Sequence, residues 1–578
     1  MTKFVSPSNN RWTVGITPFR ERWCPSILGG VRLLGSWPML LVLAGCGATS
    51  SAPATNGEAK DASVRGADGS VDAPPSSDSG RNPSDGSQNS DVAADVSVDS
   101  GMGQNQDAAA DVRVDSGMGQ NQDASRPPTA PNFLFIIADD QRWDALGVVQ
   151  REQGAQGRFP WFKNGTPNED RIAAEGVRFT NAFATSSLCS PSRAVFLTGE
   201  YTHLNGVANN VTVFPLNNVT HATLMKQNGY VTGYFGKWHM GSQTARPGFT
   251  EYASFIGQGQ YFGDTYEVST NGGAPQQVTE PATTWVDDST ATFAIDFITR
   301  HKNDKFSMVV GLKSPHEPWT APTNLYAGDN ALPAVNQNSL PSWTNPAMNV
   351  PVATTIEAYF SVITYADADV GRILSALDSL NLTDKTVIVF TSDQGYHLGE
   401  HDRMDKRTAY EESMRIPLLI RYPPLIAPSN GGGVIAAEVL NIDLAPTFLD
   451  LAGVAIPPTM QGKSWVPLLQ NPTSSLRSSV FYEYFWENIP SNEFGWDVPA
   501  IVAIRTGNGK LVSYPNHPAW LQLFDLKADP FETTNQANNP NYATLQSTLQ
   551  NDLNTSKTNF AYVYPSYADR PADGGLPP

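Results

Sequence analysis

The sequence predicts an α/β fold in which helices sandwich a mostly parallel central sheet, followed by a smaller C-terminal α+β subdomain that contains an antiparallel sheet. Residues 132–138 (NFLFIIA) and 386–391 (TVIVFT) are nearly continuous apolar runs, as expected for parallel strands buried on both faces. Between them, residues 353–377 place apolar side chains at helical spacing. From about residue 470 the apolar runs become short, which favours the antiparallel sheet.

The N-terminus reads as an export signal. Arginines precede an apolar run at 33–44, which is too short to span a bilayer as a mature helix. The run ends in residues 43–46 (LAGC), which resemble the bacterial lipoprotein cleavage box, where the cysteine is lipidated. We therefore expect Cys46 to anchor an exported protein to a bacterial membrane, at the cell envelope or cell surface. The alternative is an ordinary secretory signal that contains a cysteine, and a secreted protein.

A low-complexity segment follows at residues 47–130. It consists mainly of Asp, Ser, Ala, Gly and Pro, and such a composition cannot bury enough apolar surface to fold. Within it, residues 91–106 recur with two changes as residues 107–122. Regularly spaced aspartates in repeats can bind calcium, but two copies without a Gly-Gly pattern favour a flexible tether instead.

The folded part of the chain begins abruptly at Pro131. We predict further main-sheet strands at 231–235 and 306–312, and C-terminal elements as short strands at 480–485, 500–505, 510–514 and 523–526 with a closing helix at 542–553. The predicted organisation is a signal at 1–46, a linker at 47–130, a catalytic domain at 131–469, a C-terminal subdomain at 470–561 and a tail at 562–578.

Charge and cysteine content exclude some classes of function. The chain has 578 residues and a formal net charge of −18, which argues against nucleic acid or an anionic membrane surface as a partner. An anionic substrate would need local cations to overcome this field. Of three cysteines, only Cys189 lies beyond residue 46, so no disulfide can form within the folded region. A lone cysteine of this kind is usually an inert buried thiol.

Oxygen donors follow two of the predicted strands. Asp139 and Asp140 come directly after the first strand, and Asp393 and Gln394 come after the strand at 386–391. Adjacent carboxylates repel each other unless a cation lies between them. Ligation by oxygen alone suits Ca²⁺ or Mg²⁺ and argues against zinc, which prefers His or Cys. The two pairs therefore predict a site for a hard cation.

The neighbours of Cys189 change the interpretation of this residue. Residues 189–193 (CSPSR) resemble the motif of the formylglycine-dependent sulfatases, which are arylsulfatase-like members of the alkaline phosphatase superfamily. In that family the cysteine is oxidised to formylglycine by a maturation enzyme. The resemblance extends from Pro131 to about Asn535 and includes residues 523–536 (LFDLKADPFETTNQ), which resemble the end of the family's second domain.

Three further motifs occur in the order found in sulfatases. Residues 236–241 (GKWHMG) contain Lys237 and His239, which should face one pocket because residues two apart on an extended segment point the same way. His316 lies in the proline-stiffened segment SPHEPW, and Lys406 lies in the segment 397–418. In this last segment His401 and Arg407 are either substrate contacts or structural residues.

The resemblance implies a role for each of these residues. A cation, calcium with magnesium as the alternative, is held by Asp139, Asp140, Asp393, Gln394 and the modified Cys189; family members usually carry Asn or His in place of Gln394. Formylglycine is hydrated to a diol held by Arg193, and Asp393 takes a proton as one hydroxyl attacks sulfur. Lys237 and Lys406 stabilise the sulfuryl charge, His316 protonates the leaving oxygen, and His239 removes the proton that regenerates the aldehyde.

The sequence therefore predicts a sulfatase, with two alternatives. Phosphonate monoester and phosphodiester hydrolases share the formylglycine site, and a glycan-binding surface protein with a silent site is the third reading. Residues 315–321 and 405–407 look like those of N-acetylglucosamine-6-sulfatases, which favours a sulfated glycan as substrate. Trp486, Trp496 and Trp520 either stack on sugar rings or pack within the protein.

Overall fold

The computed structural model describes residues 130–241, 245–328, 352–426, 431–486 and 498–564. These residues all lie within one compact unit, Asp115–Pro578. The predicted signal at 1–46, almost all of the predicted linker and the end of the predicted tail lie outside the described residues, as do Cys46 and Trp496. The boundaries between the predicted domains stay predictions. Among the described residues, no helix combines the length and apolarity needed to cross a membrane.

The main sheet has ten strands in the order β10-β2-β9-β8-β1-β7-β3-β4-β5-β6. Neighbouring strands from β8 to β4 pair in parallel, whereas β9 and β5 run antiparallel to their neighbours. The strands are β1 (Asn132–Ala138), β2 (Val177–Phe183), β3 (Val231–Lys237), β4 (Glu251–Phe255), β5 (Thr265–Ser269), β6 (Gln276–Thr279), β7 (Phe306–Gly311), β8 (Thr386–Ser392), β9 (Leu418–Arg421) and β10 (Gly433–Leu440).

Helices connect these strands, and a second sheet follows them. The helices are α1 (Gly147–Gln153), α2 (Pro167–Glu175), α3 (Cys189–Thr198), α4 (Thr202–Asn205), α5 (His221–Gln227), α6 (Val286–Arg300), α7 (Val352–Ser379), α8 (Glu411–Met414), α9 (Leu444–Ala452), α10 (Val466–Gln470) and α11 (Ala543–Asn559). The second sheet is antiparallel, in the order β11 (Val480–Tyr484), β12 (Ile501–Arg505), β13 (Gly509–Ser513) and β14 (Gln522–Asp525). The predicted fold class is therefore confirmed.

Strand β1 shows why the central sheet forms from these residues. Phe133, Phe135 and Ile137 pack into the core on one face of the sheet. Leu134 and Ile136 pack into the core on the other face, where they meet helix α7. Each face of the strand is thus covered, which explains its continuous apolar sequence. Polar residues follow the carboxyl ends of β1 and β8 at one edge of the sheet, and the candidate site lies at this edge.

Candidate active site

The two pairs of oxygen donors meet because β1 and β8 are neighbours in the sheet. Ala138 pairs with Ser392 at the ends of these strands, so Asp139 and Asp393 leave the sheet side by side. The Asp393 N–H donates to Ala138 O at 3.1 Å, and the Asp140 N–H donates to Asp393 Oδ1 at 3.1 Å. Asp140 has a φ of 74°, which turns the chain sharply after the strand. Asp139, Asp140 and Asp393 are fully buried here.

Cys189 lies against this group of carboxylates at the start of helix α3. Its Sγ is 3.5 Å from Asp139 Oδ1, and Gln394 Nε2 donates to Sγ at 3.4 Å. Every residue of α3 is buried, so the helix fixes the position of its first residue. Burial, and after it the charge of Asp139, raises the pKa of the Cys189 thiol to about 12. The unmodified side chain is therefore a neutral thiol at physiological pH and not a thiolate nucleophile.

Arg193 lies one helical turn after Cys189 and joins several parts of the site. Its Nε donates to Asp393 Oδ2 at 3.0 Å, and its Nη1 donates to Lys237 O at 2.8 Å. Its Nη2 is 3.7 Å from Asp139 Oδ2. The guanidinium is buried, so these pairs are weakly screened by solvent. Arg193 thus links the cysteine helix, both strand-end carboxylates and the end of β3.

Two lysines bring further positive charge to the carboxylates. Lys237 Nζ is ion-paired with Asp139 Oδ2, and Lys406 Nζ donates to Asp140 Oδ2 at 2.6 Å. Burial raises the pKa of Asp139, but Lys237 and the other cations more than offset it and hold this pKa well below its usual range. Burial, and then the charge of Asp139, raises the pKa of Asp393 to about 8.

The donor set fits a hard cation. Ligand oxygens of Asp139, Asp140 and Asp393 lie within 4.8 Å of one another. The Gln394 amide nitrogen donates to Asp140 Oδ1 at 2.6 Å, while the Gln394 Oε1 is buried and has no hydrogen-bond partner in the described part of the chain. Three clustered carboxylates, two of them with a raised pKa, and an orphaned amide oxygen are what a divalent cation would satisfy.

His316 is held by the segment that follows β7. The Asp139 N–H donates to Ser314 O at 3.0 Å, which ties this segment to the end of β1. His316 Nδ1 lies 2.7 Å from Glu317 O and acts as the donor, since a carbonyl only accepts. The other ring nitrogen, Nε2, is 3.8 Å from Asp140 Oδ2. Nε2 is therefore the ring nitrogen that faces the carboxylates and can exchange a proton with a group bound there.

The backbone between Lys237 and His239 differs from the sequence prediction that these residues lie on one extended segment. Strand β3 ends at Lys237, and His239 has a φ of 57°, so the segment that joins the two residues is not extended. The Ser190 hydroxyl donates to His239 O, which holds this turn beside Cys189. Burial and the nearby Lys237 hold the pKa of His239 well below its usual range. Because the charges of Lys237, Asp139 and Arg193 all act on this pKa, the imidazole lies near the same site despite the turn.

The structure also locates the residues whose roles were left open. His401 is fully buried, lies 3.2 Å from Glu412 Oε2 and stacks on Tyr410 with ring centroids 4.0 Å apart, which favours the structural reading. Arg407 Nη1 donates to Asp405 Oδ1 at 2.6 Å, beside Lys406. Trp486 is buried. Trp520 is half-buried and stacks on His517, with ring centroids 3.8 Å apart.

Sequence reasoning missed residues that surround the predicted ones. Gln258 accepts a hydrogen bond from Lys237 Nζ, and Asp287 accepts from the backbone N–H groups of Lys313 and Ser314 at 2.9 and 3.2 Å. Lys313 could have been found, since it directly precedes the SPHEPW segment at the end of a strand. Gln258 and Asp287 carry no such signal, because their contacts depend on strand pairing and helix packing.

Known proteins are similar to this chain in sequence and in fold. The chain matches the Sulfatase family model over residues 131–454 and the model for the C-terminal region of N-sulphoglucosamine sulphohydrolase over residues 399–559. An N-acetylglucosamine-6-O-sulfatase of Bacteroides thetaiotaomicron is 30% identical over 512 residues, a match that covers 74% of this chain and 87% of the relative. An ulvan-active sulfatase of Formosa agariphila is 28% identical, with 74% of this chain and 81% of the relative covered.

A solved structure is also similar. It contains a protein in complex with its substrate D-glucosamine-2-N,6-O-disulfate, and it superposes with a TM-score of 0.64 at 28% identity, covering 75% of this chain and 98% of that one. The family model alone spans more than half of the 578 residues. The chain therefore belongs to the sulfatase family and is a sulfuric ester hydrolase with the alkaline-phosphatase-like fold.

Proposed function

We propose that this sulfatase removes sulfate from a sulfated carbohydrate, with a formylglycine made from Cys189 by a maturation enzyme and a bound Ca²⁺ ion. The observation that carries the proposal is the convergence, on one buried cysteine, of three carboxylates and three cationic side chains. Asp139 and Gln394 contact the thiol directly, and Lys237, Lys406 and Arg193 pair with the carboxylates around it.

Asp139, Asp140, Asp393 and Gln394 would hold the cation together with the modified Cys189. When bound, the ion neutralises charge that builds up on the sulfuryl oxygens. Three carboxylates and an amide oxygen favour Ca²⁺ over Mg²⁺, because Mg²⁺ usually keeps several waters and uses one or two carboxylates. Gln394, in place of the usual Asn or His, would offer an amide oxygen as Asn does, on an arm one methylene longer.

The residues around the formylglycine have separate tasks. After addition of water, formylglycine would supply one hydroxyl for attack on sulfur and a second hydroxyl whose deprotonation allows sulfate to be expelled. Arg193 orients this group, and Asp393 holds the proton that the attacking hydroxyl releases. Lys237 and Lys406 stabilise negative charge on the sulfuryl oxygens. Burial and the two lysines hold the pKa of His316 well below its usual range, and the anionic ester would offset these cations when it binds. As an imidazolium, with Nδ1–H held by Glu317 O, His316 would give a proton from Nε2 to the leaving sugar oxygen. His239 takes the proton that accompanies sulfate release.

The carbohydrate part of the proposal is supported by relatives and by local sequence. One relative is named as an N-acetylglucosamine-6-O-sulfatase, and the similar solved structure holds a sulfated glucosamine. Residues 315–321 and 405–407 of this chain resemble those of N-acetylglucosamine-6-sulfatases, and they lie at the site through His316 and Lys406. We therefore propose N-acetylglucosamine 6-sulfate as the first substrate to test.

The proposed setting is the exterior of a bacterial cell. The sequence of residues 43–46 supports export and lipidation at Cys46, and residues 47–130 support a tether between the lipid and the enzyme. A tethered sulfatase would reach an external polysaccharide. Incorporation of labelled palmitate into the protein, and its loss in Cys46→Ala, tests this arrangement; labelling that survives the substitution rejects it.

The test of activity uses protein produced together with a formylglycine-generating enzyme. We expect sulfate release from N-acetylglucosamine 6-sulfate and much slower phosphate release from N-acetylglucosamine 6-phosphate. Because both esters have the same alcohol, the ratio of kcat/KM reports on the transferred group alone. A higher kcat/KM for the phosphate ester would favour the phosphohydrolase alternative and reject the proposal.

The test of the cation uses binding as well as activity. Calorimetric titration of chelator-treated protein should show one tight Ca²⁺ site with weaker Mg²⁺ binding, and the site should be lost in Asp140→Asn. Asp288→Asn is a suitable control, because Asp288 is exposed on α6 and contacts Arg372. Equal Ca²⁺ affinity in the two variants would show that the ion does not bind at Asp140.

A further inference from the structure

The loop between β4 and β5, residues 256–264 (IGQGQYFGD), lies against the active site without having a role so far. Lys237 pairs with Phe255 at the ends of β3 and β4, so the loop starts beside the lysine. Gln258, half-buried in this loop, accepts a hydrogen bond from Lys237 Nζ through its side-chain Oε1. The loop therefore reaches one of the groups proposed to act on the sulfuryl oxygens.

The backbone of this loop has a defined shape. Gly257 and Gly259 on either side of Gln258 have φ values of 69° and 67°, a region that glycine enters without strain. A Cβ at Gly259 would lie 2.6 Å from Asp264 Oδ2. The same Asp264 oxygen accepts from the Gln260 N–H at 3.0 Å. These restraints hold Gln258 at the tip of a tight loop.

Lys313 and Tyr261 fasten the loop to the segment that carries His316. Lys313 is buried, with 1% of its surface exposed, and its Nζ donates to Gln258 O at 3.0 Å while lying 4.8 Å from the centre of the Tyr261 ring. The Tyr261 hydroxyl donates to His316 O at 2.7 Å. Tyr261 also stacks on Trp285 with ring centroids 4.8 Å apart. One loop thus contacts both the lysine and the histidine segment.

The hydrogen bonds of Lys237 indicate that Gln258 orients its ammonium group. An ammonium group has three N–H donors. Among the described residues, Lys237 Nζ has two acceptors, the Asp139 carboxylate and the Gln258 amide oxygen, which leaves one N–H for a sulfuryl oxygen. Gln258 is a neutral acceptor, so it fixes the direction of the ammonium group without cancelling its charge. A carboxylate in its place would compete with the substrate for that charge.

We infer that Gln258 is a positioning residue for Lys237, which it holds so that one N–H is directed at the sulfuryl group. The inference rests on the proposed role of Lys237 in sulfate ester hydrolysis. The inferred role of Gln258 differs from the role of Lys237, because Gln258 acts through the lysine and not by contact with the substrate. Its loss should therefore lower kcat more than it changes KM.

The test compares Gln258→Met with Gln260→Met in formylglycine-containing enzyme. Methionine keeps the length of the side chain and removes the acceptor, and Gln260 is an exposed glutamine on the same loop. With N-acetylglucosamine 6-sulfate as substrate, we expect Gln258→Met to lower kcat about 10-fold or more, as for loss of a hydrogen bond to a charged group, with KM and Tm close to wild type. Gln260→Met should match the wild type in all three.

The same substitution in a Lys237→Met background shows whether the effect passes through the lysine. Single-turnover rates should then be the same with and without Gln258→Met, because the group that it positions is absent. Equal kcat values for Gln258→Met and Gln260→Met, or rate losses that multiply in the double variant, would overturn the inference. A wild-type rate for Lys237→Met would instead overturn the proposed role of the lysine, and the role of Gln258 with it.

Discussion

At the scale of single residues, Cys189 illustrates how the fold prepares one side chain. The thiol is fully buried at the first position of α3 and faces Asp139 and Gln394. Burial and the adjacent carboxylate raise its pKa to about 12, so it is a poor nucleophile in its unmodified form. A carbonyl group at this position would instead face the Asp139 carboxylate and the Gln394 amide.

The variant Cys189→Ser separates folding from chemistry. The serine hydroxyl is close in size to the thiol and can donate to Asp139, so we expect the free energy of unfolding to change by only about 1 kcal/mol. Turnover should be lost, because a serine sulfate ester has no second hydroxyl to expel sulfate. Thermal unfolding and sulfate release measure the two effects, and repeated turnover by the variant would contradict the mechanism.

A second single residue, His221, links stability to pH away from the active site. His221 is buried against Phe448 with ring centroids 5.5 Å apart, and neither of its ring nitrogens has a hydrogen-bond partner among the described residues. Burial lowers its pKa to about 4. An unfolded chain binds a proton at His221 as pH falls through about 6.5, while the folded chain does so only near 4.

The stabilisation associated with neutral His221 is therefore present above pH 6.5 and is lost as pH falls towards 4. A shift of this size corresponds to about 3 kcal/mol at the acid end. We expect His221→Leu to flatten the fall in Tm between pH 7.5 and pH 4.5, with His517→Gln, at a half-buried histidine, as the control. An unchanged pH dependence in His221→Leu would exclude this histidine as a source of acid instability.

At the scale of elements, the second sheet braces the segment that carries Lys406. Lys510 on β13 donates to Ala409 O at 2.7 Å and pairs with Glu411 at 3.0 Å and Glu532 at 2.7 Å. The Glu411 N–H donates to Glu532 Oε2 at 2.8 Å. Glu532 lies in residues 523–536, the stretch that resembles the end of the sulfatase second domain. Through Glu532, residues 523–536 therefore stabilise the segment that follows Lys406.

Removing Lys510 should loosen this connection. Lys510→Met removes the cation next to the buried Glu532, while Glu411 keeps its pair with Arg505 at 3.1 Å. Removal of one partner from a buried ion pair costs about 3–5 kcal/mol of stability. We expect a clear drop in Tm together with a lower kcat, since the segment behind Lys406 loses its support. Lys527→Met, at an exposed lysine in the same part of the chain, is the control. If both variants unfold at the same temperature, the connection carries no stability.

Elements differ in how well the sequence predicts them. Strands β1, β7 and β8 lie in the middle of the sheet, and the apolar runs that cover both faces predict their positions to within a residue. Strand β2 (VRFTNAF) has partly exposed polar residues, and β9 has only four residues, so neither has a clear pattern. The two pairs of oxygen donors, Asp139 with Asp140 and Asp393 with Gln394, were predictable because each directly follows a recognisable strand. Gln258 was not, because its contact with Lys237 exists only once β4 pairs with β3.

At the scale of the whole molecule, the chain as a whole is strongly acidic, whereas cationic side chains are concentrated at the candidate active site. The formal net charge is −18, yet Arg193, Lys237 and Lys406 converge at one edge of the central sheet, where parallel strands bring their carboxyl ends together. Each lysine is fixed by an acidic residue at a strand end. The three cationic side chains offset the three carboxylates of the site, so a bound divalent cation would add the net positive charge that a sulfate ester requires within an acidic protein.

The central claim is that Cys189 becomes the formylglycine of this site, and the mass of the tryptic peptide spanning residues 179–193 tests it most directly. The peptide should come from protein produced with a maturation enzyme that converts a control sulfatase in the same cells. The account predicts a mass in which one oxygen replaces the sulfur and two hydrogens of the cysteine side chain, and a carbonyl that reacts with hydrazide reagents. An intact thiol that can be alkylated under those conditions would contradict it.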